Sequence, residues 1–249
     1  LGPEIDEAIV HDHFETFVTR QDHALGVGTA VGARSWYVHD VDPAPHRGSG
    51  RPDRKAQPTE IPNRPYVESI KRTFFGLIER LPAGEKLIFR CDGRLDYRVA
   101  ANDPALAPRV VLQVHRNPER GPKGSARSPE AIERDAAMWT ADRLHLFVRH
   151  SHADHKRQTI AQARRLESIV GRLHLHAVWK NFIKRRTERR PDPSTPAMWR
   201  GVADSPWIWE RLLAQRLFPT REPIPVHALS LYTKTWTKNL PPLKLRYAG

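Results

Sequence analysis

The stretch that decides the fold is residues 7–18, which read EAIVHDHFETFV. It is rich in β-branched and aromatic residues, and this composition predicts a strand. Because side chains alternate across a strand, Asp12 shares one face with Val10 and Phe14. A carboxylate between apolar neighbours is costly to bury unless it is paired or bound to a metal. Asp12 is therefore the first candidate site residue.

Outward from this strand, the pattern predicts three strands, a helix, two strands and two helices. Consecutive strands followed by strands that alternate with helices indicate an α/β fold with a mixed sheet flanked by helices. We expect residues 1–190 to form this domain and the Pro- and Trp-rich residues 191–249 to form an irregular extension packed on it. Residues 42–65 are predicted to be a loop. The predicted elements are 7–18, 24–31, 34–41, 66–81, 85–91, 109–114, 128–150 and 156–186.

The charge of the chain predicts a polyanionic partner. Its 249 residues carry 41 Lys and Arg against 28 Asp and Glu, which gives a net charge of +13. A surface with such an excess attracts phosphate, so nucleic acid is the expected partner. At 39% hydrophobic residues, the chain is nevertheless able to bury a core.

Other classes are excluded by composition. The single cysteine, Cys91, rules out a disulfide scaffold and a cysteine-rich zinc site. No apolar run approaches the roughly 18 residues of a membrane span. No charged-then-apolar leader begins the sequence. We therefore expect a reducing, cytoplasmic setting and no membrane partner.

Two more aspartates fall where a site is expected. Asp92 follows the strand predicted over 85–91 and precedes Gly93, and Asp142 lies in the predicted helix 128–150. If the first and fourth strands are neighbours, Asp12 and Asp92 converge, and a helix that crosses that edge adds Asp142. Convergent carboxylates repel one another, and Mg²⁺ or Mn²⁺ relieves that repulsion with oxygen ligands. Two such ions, about 3.5–4 Å apart, activate a water or a 3′-hydroxyl at a phosphodiester. The alternative is that Asp12 pairs with an arginine, Asp92 belongs to a turn and Asp142 is an exposed helix charge.

The sequence around these aspartates resembles the DDE-type transposases of bacterial insertion sequences. The likeness covers most of the chain, thinly over residues 20–80, and its most specific part lies toward the C-terminus. The similar segments are DHFETF at 12–17, DGRLDY at 92–97, DRLH at 142–145 followed by Arg149, and NFIK at 181–184 with TPAM at 195–198.

The resemblance implies a ribonuclease-H-like fold and a DNA transposase that cleaves and joins strands at the ends of an element. Asp12, Asp92 and Asp142 would then be the catalytic residues and the ligands of two Mg²⁺ or Mn²⁺ ions. The implied partner is double-stranded DNA, bound by a homo-oligomer. His145 and Arg149 would lie near the phosphate.

The sequence departs from the family pattern at several points. Asp142 stands where the family has Glu, and His145 stands where it has Asn. The zinc-binding or helix-turn-helix segment that generally recognises element ends is not present. The resemblance therefore implies a catalytic fragment, or a decayed copy that binds DNA without cutting it.

A basic region after Asp142 is predicted to hold DNA phosphates, which positions a duplex without reading its sequence. The competing interpretation is a solvated helix face. Trp139 and Trp179 are expected to lie in the core. The predicted DNA-binding residues are Arg143, His145, Arg149, Lys156, Arg157, Lys184, Arg185, Arg186, Arg189 and Arg190.

A rival motif occurs at residues 150–155, which read HSHADH. It matches the His-x-His-x-Asp-His pattern of metallo-β-lactamase-like hydrolases, in which such side chains bind two zinc ions. The glycines usual after that motif are absent, and the downstream histidines fit its spacing poorly. We therefore expect these histidines to be exposed on a basic helix.

Overall fold

The computed structural model describes residues 2–19, 23–45, 62–119, 121–122, 124–156, 163–188 and 192–214. These residues form five strands, six helices and a short 3₁₀ turn over Ala153–His155. The strands are β1 (Ile9–Phe17), β2 (Ala24–Gly32), β3 (Val38–Pro45), β4 (Leu87–Cys91) and β5 (Val110–Val114). The helices are α1 (Arg64–Ile78), α2 (Leu95–Ala101), α3 (Pro129–Ser151), α4 (Leu166–Phe182), α5 (Pro196–Trp199) and α6 (Trp209–Ala214).

The five strands form one mixed sheet in the order β3-β2-β1-β4-β5. β1 pairs antiparallel with β2, and β2 pairs antiparallel with β3. β1 pairs in parallel with β4, and β4 in parallel with β5. The predicted α/β fold with a mixed sheet flanked by helices is confirmed.

Each face of the sheet carries its own apolar core. On one face, α1 and α2 pack on β1 and β4 through residues such as Ile70, Phe74 and Phe89. On the other, α3 and α4 pack on the first three strands around Phe14 and Leu144. The sheet is thus the middle layer of three, and the core that covers Phe14 also positions α3 over the face that carries Asp12.

The predicted elements differ from the structure at three places. β3 begins at Val38 rather than residue 34, because residues 33–37 form the turn after β2, with Trp36 at a φ of 64°. Helix α2 was not predicted, since it is only seven residues long. In the described part of the segment 156–186, the helix runs from Leu166 to Phe182.

Prolines shape the edge of the sheet at β3. Pro43 and Pro45, which the sequence assigned to a loop, lie in this outer strand. Proline lacks the N–H that an inner strand donates on both sides, so an edge position accommodates it. Residues 46–61 of the predicted loop lie outside the described residues.

The most specific segments of the likeness, NFIK at 181–184 and TPAM at 195–198, stabilise the fold. The Asn181 side chain accepts a hydrogen bond from Val38 N (2.8 Å) and donates one to Val38 O (2.9 Å), which ties α4 to the edge of β3. The Thr195 side chain caps α5 by accepting from Met198 N. Trp207 then packs on Phe182, at the end of α4.

The described part of the predicted extension is residues 192–214, and it contacts the rest of the chain, for example through Trp207 and Phe182. The boundary at residue 190 stays a prediction, and residues 215–249 lie outside the described residues. Within the ranges given above, no helix combines the length and hydropathy needed to cross a membrane.

Replacing Asn181 by Ala is expected to lower the free energy of unfolding by about 2–4 kcal/mol, because it leaves the buried N–H and C=O groups of Val38 without partners. Urea denaturation followed by circular dichroism measures the change. Asn102→Ala is the matched control, since Asn102 is exposed. Equal stability of the two variants would show that the Asn181 anchor is dispensable.

Candidate active site

Asp12 and Asp92 lie side by side where the short strand β4 ends beside β1. In the β1–β4 pairing, Ile9 lies opposite Phe89 and Val10 opposite Arg90. The same register, continued by two residues, sets Asp92 beside Asp12. The condition that the sequence set for their convergence, that the first and fourth strands are neighbours, is therefore met.

Asp142 approaches this pair from α3. Met138 and Ala141 of α3 are fully buried against Val10 of β1, so the helix crosses the sheet just before Asp12. The next residue, Asp142, is close enough for its charge to raise the pKa of Asp12. Asp142 is 41% exposed, at the rim of the site.

The three carboxylates repel one another, and this repulsion contributes to a raised pKa of Asp12. Burial, followed by the charges of Asp92 and Asp142, raises the pKa of Asp12 to about 7 against the opposing effects of the His13 amide and Arg134. The pKa of Asp92 is also raised, mainly by burial. The site thus holds more negative charge than its own surroundings neutralise.

Arg134 is the cation that the fold supplies to this site, and sequence reasoning missed it. Its guanidinium forms an ion pair with Asp142, two helical turns further along α3. It also lowers the pKa of Asp12 and of Asp92, and its side chain is only 13% exposed. Asp142 is therefore part of a shared electrostatic cluster with Asp12 and Arg134.

Oxygen donors of this kind suit a hard divalent cation. Among the residues whose positions are described, however, no three His, Cys, Asp or Glu side chains are arranged to hold a metal ion. The carboxylate of Asp142 is engaged by Arg134.

His145 is a buried, neutral neighbour of Asp12. Its Nε2 lies 2.8 Å from Thr29 Oγ1, and its Nδ1 lies 3.8 Å from Asp12 Oδ2. Thr29 Oγ1 lies within hydrogen-bonding distance of both His145 Nε2 and the main-chain oxygen of Asp12, so it links the ring to β1. Burial lowers the pKa of His145 to about 3, with smaller contributions from Arg149 and Arg134. The neutral ring therefore packs beside Asp12 and offers no charge to phosphate.

Arg94 lines the site on the other side of Asp92. Its main-chain N–H donates to Asp92 Oδ1 (3.0 Å), and its guanidinium pairs with Asp96 (2.9 Å). The same guanidinium stacks over Tyr66 of α1, with its carbon 4.2 Å from the ring centroid. The spacing of Asp92-Gly93-Arg94 identified the turn, but the contact with Tyr66 depends on the tertiary fold.

A thiol nucleophile at this edge is excluded. Cys91 ends β4 beside the carboxylates and is fully buried. Burial, together with the charges of Asp92 and Asp12, raises the pKa of Cys91 to about 12. A thiolate does not form there near neutral pH.

The predicted DNA-binding residues other than His145 divide into four groups. Lys156 and Arg185 are exposed, so their charges are accessible to phosphate. Arg149 instead stacks on Phe14 and donates to main-chain oxygens of Glu15 and His155, so it has a structural task. Arg143, Lys184 and Arg186 pack on aromatic rings and are taken up below. Arg157, Arg189 and Arg190 lie outside the described residues.

The histidines of the rival motif do not lie on an exposed helix, contrary to expectation. His150 is exposed, but Asp154 and His155 are buried beyond the end of α3. His155 Nδ1 contacts Thr16 Oγ1 at 3.0 Å, and His152 Nε2 contacts His176 Nδ1 at 3.2 Å. These contacts join the end of α3 to β1 and α4.

Comparison of the chain with protein-family models finds no match, and a search of curated proteins finds no significant match.

We predict that Asp12→Asn makes stability less dependent on pH when divalent cations are removed with EDTA. The folded protein holds a proton on Asp12 up to a pKa of about 7, whereas the unfolded chain loses it near 3.8. The folded state binds more protons between these values, so the stability of the parent protein falls as pH rises from 4 to 7 and then levels off. The asparagine variant lacks this fall. At pH 8 it should be more stable than the parent by about 2–4 kcal/mol, and at pH 4 the two should be nearly equal.

Chemical denaturation at pH 4, 5.5, 7 and 8 measures the difference. Glu85→Gln, at an exposed carboxylate before β4, is the control and should follow the parent at every pH. A constant offset between Asp12→Asn and the parent at all four pH values would contradict the prediction.

Proposed function

We propose that this chain is the ribonuclease-H-like catalytic domain of a DNA transposase, which cleaves phosphodiesters and transfers strands at insertion-sequence ends in the bacterial cytoplasm. The observation that carries the proposal is the pairing of Asp12 and Asp92 across parallel strands, with Asp142 of α3 acting on the same charge. The strand order β3-β2-β1-β4-β5, antiparallel in its first half and parallel in its second, supports the proposed fold.

The proposed chemistry assigns a task to each carboxylate. Asp12 would provide an oxygen ligand from within β1, Asp92 one from the residue after β4, and Asp142 a third from α3. Bound there, Mg²⁺ or Mn²⁺ supplies activation of a water or 3′-hydroxyl and stabilisation of the leaving oxygen. His145 packs beside Asp12, and Arg94 limits the movement of Asp92.

Arg134 has two tasks in this proposal. Paired with Asp142, it offsets carboxylate repulsion before a cation binds. Once a cation takes its place at Asp142, the guanidinium is free to donate to a phosphate oxygen of the DNA, for which its fork of N–H groups is well suited. For the cation to replace Arg134, the side chain of Asp142 must move. This side chain is shorter than the Glu of the transposase pattern.

The proposal is tested by cleavage of supercoiled plasmid and of labelled linear duplex in Mg²⁺ or Mn²⁺. The parent protein should nick DNA in a cation-dependent way, and Asp12→Asn, Asp92→Asn and Asp142→Asn should each lower the rate by at least about 100-fold. Glu133→Gln is the matched control, because Glu133 is an exposed acid on the same helix. Its rate should stay within about twofold of the parent.

Loss of cleavage in the control as well as in the three variants would contradict the assignment of the site. So would cleavage that is unaffected by Asp92→Asn. Zinc that co-purifies with the parent and is lost in His152→Ala would instead support a zinc-dependent hydrolase of the metallo-β-lactamase-like type.

Arg134→Gln should separate cation binding from cleavage. Because glutamine cannot hold Asp142 by charge, Mn²⁺ should bind the DNA-free variant about three- to tenfold more tightly than the parent, measured by electron paramagnetic resonance. Cleavage should nevertheless fall, because the phosphate donor is lost. Arg127→Gln, which removes an exposed arginine before α3, should change neither quantity. Weaker Mn²⁺ binding by Arg134→Gln would contradict the exchange.

A second candidate function is a DNA-binding remnant that no longer cuts. The observation that favours it is the engagement of Asp142 with Arg134, together with the lack of a metal-holding arrangement in the part of the chain with known positions. Retention of duplex in a gel shift, with no Mn²⁺ binding and no nicking, would support the remnant and contradict the nuclease.

A further inference from the structure

Four cations converge on one group of aromatic rings beside the carboxylate site. Arg143 of α3 lies over Trp36 and Trp139, with its guanidinium carbon 4.8 Å from each ring centroid. Arg186 lies over the same Trp36 ring at 4.4 Å. Lys180 of α4 and Lys184, two residues after that helix, approach Phe147 at 5.9 and 5.8 Å. We name Arg143, Lys180, Lys184, Arg186 and Trp36 the cationic pocket.

Lys180 is the residue that the fold leaves unexplained. It is only 5% exposed, and its ammonium lies 5.9 Å from the ring centroids of both Trp36 and Phe147. The charges that act on it most are those of Arg143, Lys184 and Arg186, and together with burial they lower the pKa of Lys180 to about 7. A buried cation surrounded by cations is unfavourable unless an anion joins it.

The acids near the pocket do not balance it. Glu188 pairs with Lys184 from an exposed position. Asp192 and Glu7 act on Arg186 from a distance. Arg186 Nε is buried and has no hydrogen-bond partner among the described residues. Its orphaned donor and the Lys180 ammonium both remain for a ligand.

Trp36, the aromatic residue of the pocket, has an energetically unfavourable backbone conformation. Its φ of 64° lies in the left-handed region, which a bulky side chain rarely adopts. Such strain persists only where surrounding structure imposes it, and it occurs preferentially at functional sites. Here the ring is held between Arg143 and Arg186, and each guanidinium also donates to a main-chain oxygen, Arg143 to that of Arg186 and Arg186 to that of Arg34.

We propose that the cationic pocket binds a phosphate group of the duplex DNA backbone. This inference takes its ligand from the proposed function and adds Lys180 and Trp36 to the binding surface. Arg143 directly follows Asp142 on α3, so the pocket and the carboxylates lie on adjacent faces of one helix. A polyanion long enough to reach both the pocket and the carboxylate site accounts for the position of the cations beside that site. A small free anion would account for the cations but not for their position.

The partly exposed rings point to nucleic acid rather than to an acidic peptide. Trp139 was expected in the core but is 39% exposed, and it packs on Trp36 with the ring centroids 4.8 Å apart. Exposed aromatic surface beside arginine is typical of proteins that contact the sugars and bases of nucleic acid as well as its phosphates.

The test compares Lys180→Met with Lys86→Met for binding of a fluorescent 20-base-pair duplex, with EDTA present so that no cleavage intervenes. Each variant removes one lysine charge, but Lys86 is exposed in the turn before β4. Lys180→Met should weaken binding about five- to tenfold and reduce the slope of log affinity against log salt by about one. Lys86→Met should leave both unchanged, and Lys180→Arg should restore binding. Circular dichroism and urea denaturation check that the variants fold.

Equal affinities of Lys180→Met and Lys86→Met would overturn the proposal. So would displacement of the duplex by inorganic phosphate or poly-glutamate at the same charge concentration with the same dependence on Lys180, because either result makes the pocket a general anion site. The outcome is independent of catalysis. Loss of duplex affinity in Lys180→Met, with no nicking by the parent, would leave the pocket in place and contradict only the proposed nuclease.

Discussion

Repulsion between the carboxylate within β1 and the one that follows β4 is the constraint on which the rest of the site depends. Parallel pairing brings Asp12 and Asp92 side by side, where burial removes the water that would screen them. The cost appears as a raised pKa of Asp12, which Arg134 from α3 reduces, while Arg94 and Arg134 both act on Asp92. Even with these guanidinium groups the pKa values of Asp12 and Asp92 stay raised, so the site remains short of positive charge. That shortage is the physical basis for expecting a divalent cation.

The cationic pocket has the opposite imbalance. Its four cations surround one group of aromatic rings, and burial together with the neighbouring charges lowers the pKa of Lys180. These cations are Arg143, Lys180, Lys184 and Arg186. Two clusters of opposite excess charge therefore lie on adjacent faces of α3. The two clusters do not neutralise each other, because consecutive residues such as Asp142 and Arg143 point about 100° apart around the helix. A cation at one and a phosphodiester at the other would relieve both.

The sequence predicted the parts of the site that depend on local pattern. The alternation around Asp12 was strong enough to identify β1, and the end of β4 located Asp92. Arg134 was missed because it lies eight residues from Asp142, about 12 Å along the helix axis, where no rule of helical spacing predicts a contact. Trp36 was placed in a strand, since its aromatic character favours β structure and the left-handed turn it adopts is normally filled by glycine. His155 was placed on an exposed helix because its burial depends on contacts with β1 and α4.

The segments that carry the family likeness differ in what they support. NFIK and TPAM, the most specific of them, hold the fold together through the Asn181 anchor and the Thr195 cap, and neither touches the carboxylates. A likeness in these segments therefore argues for a shared scaffold more directly than for shared chemistry. The argument for chemistry depends on Asp12, Asp92 and Asp142, where the substitution of Asp for Glu shortens the third side chain by one methylene. With Asp142 held by Arg134 in the protein alone, catalysis requires that binding of cation and DNA release this pair. The ion pair between Arg134 and Asp142 therefore distinguishes the two candidate functions. The nuclease requires that this pair separates, and the DNA-binding remnant does not.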